Sequence, residues 1–378
     1  MDSIYLDNNA TTPMVPAVWE AMRPYLSDTY GNPASAHRAG RRARQALEDA
    51  RDRVAALLGA RPDEVVFTSG GTEANNLALF GLAGDPPGHI IASPVEHPSV
   101  AEPLRRLAEI GFQVDHLPVD GTGIVRAEAL AELLRPETRL VTVMLVNNET
   151  GAVQPIADLL RHRPEVPFHC DAVQAAGRVP VHLGELGVTT LSLSAHKFHG
   201  PRGVGALLVR RGTRLRPLLL GGHQQRGRRP GTEPVALAVG LATALELAER
   251  EGDARRERVL ALRRRLLDAL RSEASPVVLN GPHEGGVPHT LNLSFPGCRA
   301  DVLLMSLDLA GVACSTGSAC SSGSLLPSPV LKAMGVPDEV LHSAMRFSLS
   351  ALLTEAEIDE AVRRIAATVR RLRAMGEG

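Results

Sequence analysis

The chain has 378 residues, room for two domains or for one large domain with a smaller companion. Hydrophobic residues make up 44% and charged residues 22%, and 41 basic against 42 acidic side chains give a formal charge of −1. That balance argues against direct nucleic-acid binding and against an anionic membrane surface as a partner. The opening MDSIYLDNNATT has no basic head followed by an apolar core, and no apolar run approaches membrane-spanning length, so a cytoplasmic protein is expected. Cysteines at 170, 298, 314 and 320 are too few for a disulfide scaffold and form no CxxC pair, so no metal site is expected.

In chain order, residues 35–58 predict a long helix capped by Ser35, with Ala43, Leu47, Ala50, Val54 and Leu57 near one face and Gly59 ending it. Residues 65–67 read as a strand, 69–72 as a tight Gly-rich turn and the stretch after Thr72 as a helix. Such a strand-to-helix turn directs backbone N–H groups at a phosphate, or serves structure alone; it matches neither a dinucleotide fingerprint nor a P-loop. Short apolar runs at 90–92, 140–146, 166–170, 191–193 and 204–209 alternate with helical patterns such as 101–109 and 127–134. This alternation predicts an α/β domain with a mostly parallel sheet. Residues 241–270, strongly helical and heavily charged, suit a long exposed connector. Beyond it, VVLNGP, HTLNLSF, a helix from Ala300, VACS and AMRFSLS predict a smaller α+β domain. A capping box, Thr354 with Glu357, starts the terminal helix, and Ser328 before Pro329 starts an earlier one.

The chemistry concentrates in TLSLSAHKFHGP, residues 190–201, where Lys197 follows an apolar run that reads as a buried strand. A lysine in that setting needs a reason, and Schiff-base formation with an aldehyde cofactor is one. Asp171, just past another apolar run in FHCDAVQ, is placed to pair with a pyridine nitrogen. Cys170 beside it reads as a small core residue, whereas Cys320 lies in STGSACSSGS, a composition that favours an exposed loop. The run Arg226, Arg228, Arg229 reads as solvated surface or as a guard for an anionic ligand.

YLDNNATTP, TSGGTEANN, EHPSV, VNNETG, DAVQ, SAHKFHGPRG, GGHQQ with PGT, SGSAC and RFSLS occur in that order along nearly the whole chain. In this the sequence resembles the cysteine desulfurases of the NifS/IscS type, within the class V aminotransferase group of fold-type I pyridoxal-phosphate enzymes. The resemblance implies an α/β fold with a large cofactor-binding domain, 14–250, and a small α+β domain, 1–13 with 251–378, carrying a mobile cysteine loop around 314–326. It implies pyridoxal 5'-phosphate held covalently by Lys197, with Asp171 on the ring nitrogen, Gln174 on the phenolic oxygen and His97 stacked on the ring and assisting proton transfer. Gly71, Thr72, Ser194 and His196 would receive the phosphate, joined by Thr232 from the neighbouring subunit of a homodimer. Asn148 and Arg346 would bind the substrate carboxylate.

The implied reaction converts L-cysteine to L-alanine. Lys197 moves the α-proton, and the Cys320 thiolate takes the substrate sulfur as a persulfide for delivery to an acceptor protein, such as an iron–sulfur scaffold or a tRNA-thiolation carrier. Cys314 does not match a family cysteine. Gln225 stands where glutamate is usual, Pro230 where a small serine is usual and Ser350 where RFSLG has glycine, changes expected to touch the dimer boundary and local packing. A selenocysteine lyase or related class V aminotransferase is the alternative enzyme. A non-enzymatic sulfur-assembly adaptor is set against the presence of Lys197, Asp171, Gln174, His97, Arg346 and Cys320 together.

Overall fold

The computed structural model describes residues 3–162, 165–317 and 327–376. In chain order the strands are β1 (Ile4–Tyr5), β2 (Val65–Thr68), β3 (His89–Ala92), β4 (Gln113–His116), β5 (Thr138–Thr142), β6 (Phe168–Asp171), β7 (Thr190–Ser194), β8 (Gly205–Val209), β9 (Val278–Asn280), β10 (Thr290–Ser294), β11 (Val312–Ala313) and β12 (Ala344–Ser348). Seven of them form one sheet in the order β2-β8-β7-β6-β5-β3-β4. Strand β8 runs antiparallel to both β2 and β7, and every other pair is parallel. The expected mostly parallel α/β sheet is therefore present.

All strands of this sheet but the edge strand β4 are buried on both faces, as a parallel sheet covered by helices must be. Of the polar side chains among them, His169, Thr190 and Ser192 bond to one another or to Asn75. Phe67, Ile91 and Leu208 join the core beneath the helices Arg38–Leu57 and Val235–Arg250, while Val66, Ile90 and Leu207 face the helices Gly71–Ala83 and Pro98–Glu109. Fully burying a side chain of this size contributes about 1.5–3 kcal/mol. The first of these helices starts differently from expectation. Its cap is His37, whose Nδ1 accepts from Gly40 N at 3.3 Å, not Ser35. Ser35 is held in a preceding turn, its N–H on the Asn32 carbonyl. Gly59, at φ 57°, does end the helix.

The expected exposed connector at 241–270 is corrected to two helices, Val235–Arg250 and Gly252–Glu273, meeting at Glu251. The first is buried along most of its length, because residues 235–248 are almost all apolar or small and pack into the larger core. Only the second carries the charge-rich pattern. Likewise the run 140–146 is strand only to Thr142, and the pattern at 127–134 yields the short helix Ala129–Leu133.

A second core lies on the antiparallel sheet β12-β10-β9. Leu293, Phe295 and Phe347 meet Leu266, Leu303 and Ile365 from the helices Gly252–Glu273, Ala300–Leu309 and Glu355–Gly376. Phe295 and Phe347 pack edge to face with centroids 6.3 Å apart. Ile4 and Leu6 belong to this core, and β1 pairs in parallel with β11. The capping box is present: Glu357 N donates to Thr354 Oγ1 at 3.2 Å and Thr354 N to Glu357 Oε2 at 2.7 Å. Among the described residues no helix is long and apolar enough to cross a membrane.

Candidate active site

The C-terminal ends of parallel strands are where ligands bind in open α/β sheets. Asp171 ends β6, Ser194 ends β7, Lys197 follows three residues later, and Gly71 opens the helix after β2. A pocket with about 650 Å³ of open space, part of it continuous with solvent, is lined by Gly71, Thr72, His97, Asn148, Asp171, Gln174, Ser194, His196 and Lys197. These nine are expected site residues brought together from across the chain. Ala10, Ser99, Met144 and Val173 complete the wall.

Lys197 Nζ donates to the carbonyls of Asn9, at 2.5 Å, and Ala10, at 3.0 Å. Asn9 O also accepts Gln174 Nε2 at 3.0 Å, so the Asn9–Ala10 backbone spaces the lysine from the glutamine. Asp171 is 3% exposed and already holds two donors, Asn75 Nδ2 at 2.7 Å and Val173 N at 2.9 Å. Asn75 is a site-building residue missed at the level of motif. Besides Asp171 it donates to Ser99 Oγ at 2.8 Å, and its Oδ1 accepts Ser192 Oγ at 2.5 Å. It sits one helical turn beyond Gly71 in TSGGTEANN, so i+4 spacing on the inward face was the available signal.

His97 caps the helix Pro98–Glu109, its Nδ1 accepting from Ser99 N at 3.1 Å with Ser99 Oγ at 2.8 Å. A backbone N–H only donates, so Nδ1 bears no proton and the neutral ring carries its hydrogen on Nε2. Burial lowers the imidazole below its ordinary range, opposed by Asp171 and reinforced by Lys197 and Arg346. His196 is lowered to about 4, mainly by burial and then by Lys197. Glu96, fully enclosed beside this wall, accepts from Met144 N at 2.6 Å, and burial followed by Asp171 drives its carboxyl well upward.

The helix Gly71–Ala83 has no side-chain cap, and its first two residues line the pocket. Four backbone N–H groups at such a terminus lack helical partners, which makes it a ready anion site. A side chain at 71 would meet Val173 Cγ2 at 2.6 Å, so only glycine lets the wall close there.

Arg178 is a second residue that motif reasoning passed over. It donates to Asn9 Oδ1 at 2.9 Å, Gln174 Oε1 at 2.6 Å, Asn8 O at 3.2 Å and Lys197 O at 3.1 Å, and also meets His289 Nε2. It thereby ties the lysine, the glutamine and the N-terminal segment into one frame. Burial lowers this guanidinium to about 9.

Among the described residues, two expected ones, Arg346 and Thr232, stand apart from the pocket wall. Arg346, 3% exposed on β12, pairs with Asp7 at 2.9 Å and donates to Asn148 O at 3.2 Å, while its Nε has no hydrogen-bond partner among the described residues. Thr232 is exposed in the loop before the helix Val235–Arg250. Cys320 lies outside the described residues. Cys314 is half-buried against the smaller core, and desolvation pushes its thiol up to about 12, an inert thiol at neutral pH. Cys170 is a core residue as expected. The arginine run is anchored: Arg229 pairs with Glu73 at 2.8 Å and Arg228 donates to the Asp63 carbonyl at 3.0 Å.

A large mostly parallel sheet with a smaller α+β unit, and a lysine-bearing pocket at the strand ends, is the architecture of fold-type I pyridoxal-phosphate enzymes. The aminotransferase class-V family profile matches residues 4–361. The chain belongs to that family, among its NifS/IscS-like cysteine desulfurases. It is 45% identical to the cysteine desulfurase IscS of Dictyoglomus turgidum, over 94% of this chain and 92% of that one. A solved NifS-like protein superposes with a TM-score of 0.92 at 38% identity, covering 98% of this chain and all of the other. SspA, solved in complex with cysteine, gives a TM-score of 0.82 at 36% identity over 92% of this chain and 99% of its own.

Proposed function

We propose that the pocket binds pyridoxal phosphate and L-cysteine, with Lys197 and Asp171 as its defining pair. The chain is a cysteine desulfurase, producing L-alanine and an enzyme persulfide. The observation that carries the site assignment is the meeting of Lys197, Asp171, Gln174 and an uncapped helix terminus on one pocket. Those donors fit the cofactor. Gly71, Thr72, Ser194 and His196 suit its phosphate, Asp171 its ring nitrogen, Gln174 its phenolic oxygen and His97 its face. Bound there, pyridoxal phosphate supplies an electron sink for the substrate's α-carbon.

The chain's own groups do the rest. Arg346, with Nε unpartnered, and Asn148 hold the substrate carboxylate. The amine of Lys197 takes the α-proton and later gives it up, a transfer for which a guanidinium, ordinarily far more basic than an amine, is poorly suited. His97, carrying its one hydrogen on Nε2, is a neutral donor in the same pocket. The Cys320 thiolate then attacks the substrate sulfur. An S–S bond forms, the C–S bond breaks with its electron pair going to carbon, and protonation of that carbon gives alanine. Two thiols thus become one persulfide and one methyl group. The outer sulfur leaves by exchange onto the thiol of an acceptor protein.

Thr232, exposed and away from its own chain's pocket, suits a contact with the cofactor phosphate of a second copy in a homodimer. The proposed division into 14–250 and 1–13 with 251–378 fits the packing of Ile4 and Leu6 in the second core.

The lysine assignment has a direct test, because Lys197 and Lys332 are the chain's two lysines. Borohydride reduction of the holoenzyme followed by peptide mass spectrometry is expected to find the cofactor on Lys197, and K197A is expected to lose the visible absorbance. Cofactor attached at Lys332, or a wild-type spectrum in K197A, would overturn the assignment.

A further inference from the structure

Residues 318–326, which include Cys320, are bounded in the chain by Gly317 and, just after, by Ser328. These two flanking positions meet at one side chain. Glu149 is 4% exposed, and its Oε2 accepts the Ser328 hydroxyl at 2.5 Å. Ser328 in turn accepts from Leu331 N at 3.1 Å as the cap of the helix Pro329–Ala333. The same Glu149 oxygen stands where a Cβ on residue 317 would collide with it. Gly317 does not adopt a left-handed conformation, so its lack of a side chain answers to the carboxylate and not to the backbone.

Glu149 is itself rigidly placed. Its N–H donates to Asn147 Oδ1 at 2.9 Å, and Asn292 Nδ2 reaches its carbonyl at 3.4 Å. The residue before it, Asn148, lines the pocket, and the Asn148 carbonyl accepts Arg346 Nη1 at 3.2 Å. Arg346 also pairs through its backbone with Ser315, two residues ahead of Gly317. One turn, 147–151, therefore presents Asn148 to the pocket and Glu149 to both flanks of the cysteine-bearing segment.

We infer that Glu149 is a positioning residue for sulfur transfer, fixing Gly317 and Ser328, the described positions on either side of the segment that carries Cys320, relative to the substrate site. This rests on the assignment of Cys320 as the sulfur-accepting thiol. Glu149 touches neither substrate nor cofactor in this role. It acts through Gly317 and Ser328, so its loss slows the step that needs Cys320 and leaves earlier steps in place.

The test is a double-mutant cycle on holoenzyme, reading single-turnover alanine formation beside cofactor absorbance, the spectral change on mixing with L-cysteine, and thermal midpoint. G317A and E149A are each expected to slow alanine formation by about tenfold, roughly 1.4 kcal/mol in barrier, with the cysteine-induced spectral change at its wild-type rate. Because the added methyl conflicts with the carboxylate, G317A/E149A is expected to be no slower than E149A. E149Q, which keeps the volume and an acceptor oxygen for Ser328, replaces E149A should that variant not accumulate; G317A/E149Q is then expected to be as slow as G317A, because the conflict at 317 remains. Wild-type rates in G317A and E149A, or fully multiplicative losses in the double variant, would overturn the inference while a slow C320A left the underlying reaction standing. Wild-type alanine formation in C320A would overturn the Cys320 assignment and this inference together.

Discussion

Lys197 is singular in this chain: 39 of the 41 basic residues are arginine, and the other lysine, Lys332, is exposed. Elsewhere in the site the basic groups are arginines, which offer several fixed donors at once, as at Arg346 and Arg178. An amine appears at the one pocket position where the proposed chemistry needs a group that bonds covalently and sheds a proton. The apolar run before Lys197 made it legible, and the scarcity of lysine is a plainer signal still. Other residues resisted sequence reading because their roles arise only when distant segments meet, as with Arg178 between Asn9, Gln174 and Lys197. His169 is another. Its ring bonds Thr190 Oγ1 at 2.9 Å and Asn75 Oδ1 at 3.0 Å, and burial lowers it to about 3. The unfolded chain binds a proton near the ordinary histidine value of about 6.5, which the fold refuses. Its contribution is therefore fully present above about pH 6.5 and is lost as pH falls toward 3. The raised carboxyls of Glu96 and Glu149 act in the opposite direction, so a difference measurement is needed. Urea unfolding should show wild type losing more stability than H169N between pH 6.5 and 4, by up to about 3 kcal/mol; equal losses would contradict this account.

At the scale of elements, six of the seven strands of the large sheet were readable because each follows a short apolar run closed by a turn. The edge strand β4, QVDH, carries no such run and was not foreseen. The helices were harder where composition changes along them. Residues 235–250 and 252–273 look continuous in sequence, yet the first is nearly free of charge and lies in the core, whereas the second has a solvated face. Gln225 shows what a motif comparison leaves out. Its Oε1 accepts from Phe67 N at 2.6 Å and its Nε2 donates to Phe67 O at 2.7 Å, so one side chain completes the hydrogen bonding of edge strand β2. Gln225 and Arg226 adopt left-handed conformations, φ 48° and 61°, that this two-way bond holds in place. Glutamate, which the family resemblance led us to expect at this position, could take only the first bond, although Arg51, 3.4 Å from Oε1, would then gain a further carboxylate partner. Unpairing both Phe67 groups in Q225A is expected to cost about 1–3 kcal/mol in unfolding free energy, with Q225E between it and wild type. A Q225A protein as stable as wild type would show that the bridge contributes nothing. Ser350, another departure, brings its hydroxyl to 3.4 Å from His199 Nε2 and is not part of the lining of the active-site pocket.

Over the whole molecule, the site is assembled from both ends of the chain. Asn8 and Asn9 precede the large sheet, Lys197 and Asp171 come from its middle, and Arg346 arrives on β12 of the smaller one. No local window of sequence contains that geometry, which is why only the ordered set of motifs made it visible. The central claim is that this assembly breaks the C–S bond of L-cysteine and hands the sulfur to Cys320. The most direct measurement follows alanine and sulfide from L-cysteine with pyridoxal phosphate and a reductant, in wild type and C320A. Alanine formation by wild type that collapses in C320A, while the variant still binds the cofactor, is the predicted result. Equal alanine from both would contradict it by removing Cys320 as the nucleophile. Alanine from neither, with the cofactor bound in both, would contradict it in favour of a transaminase or a selenocysteine-selective reaction.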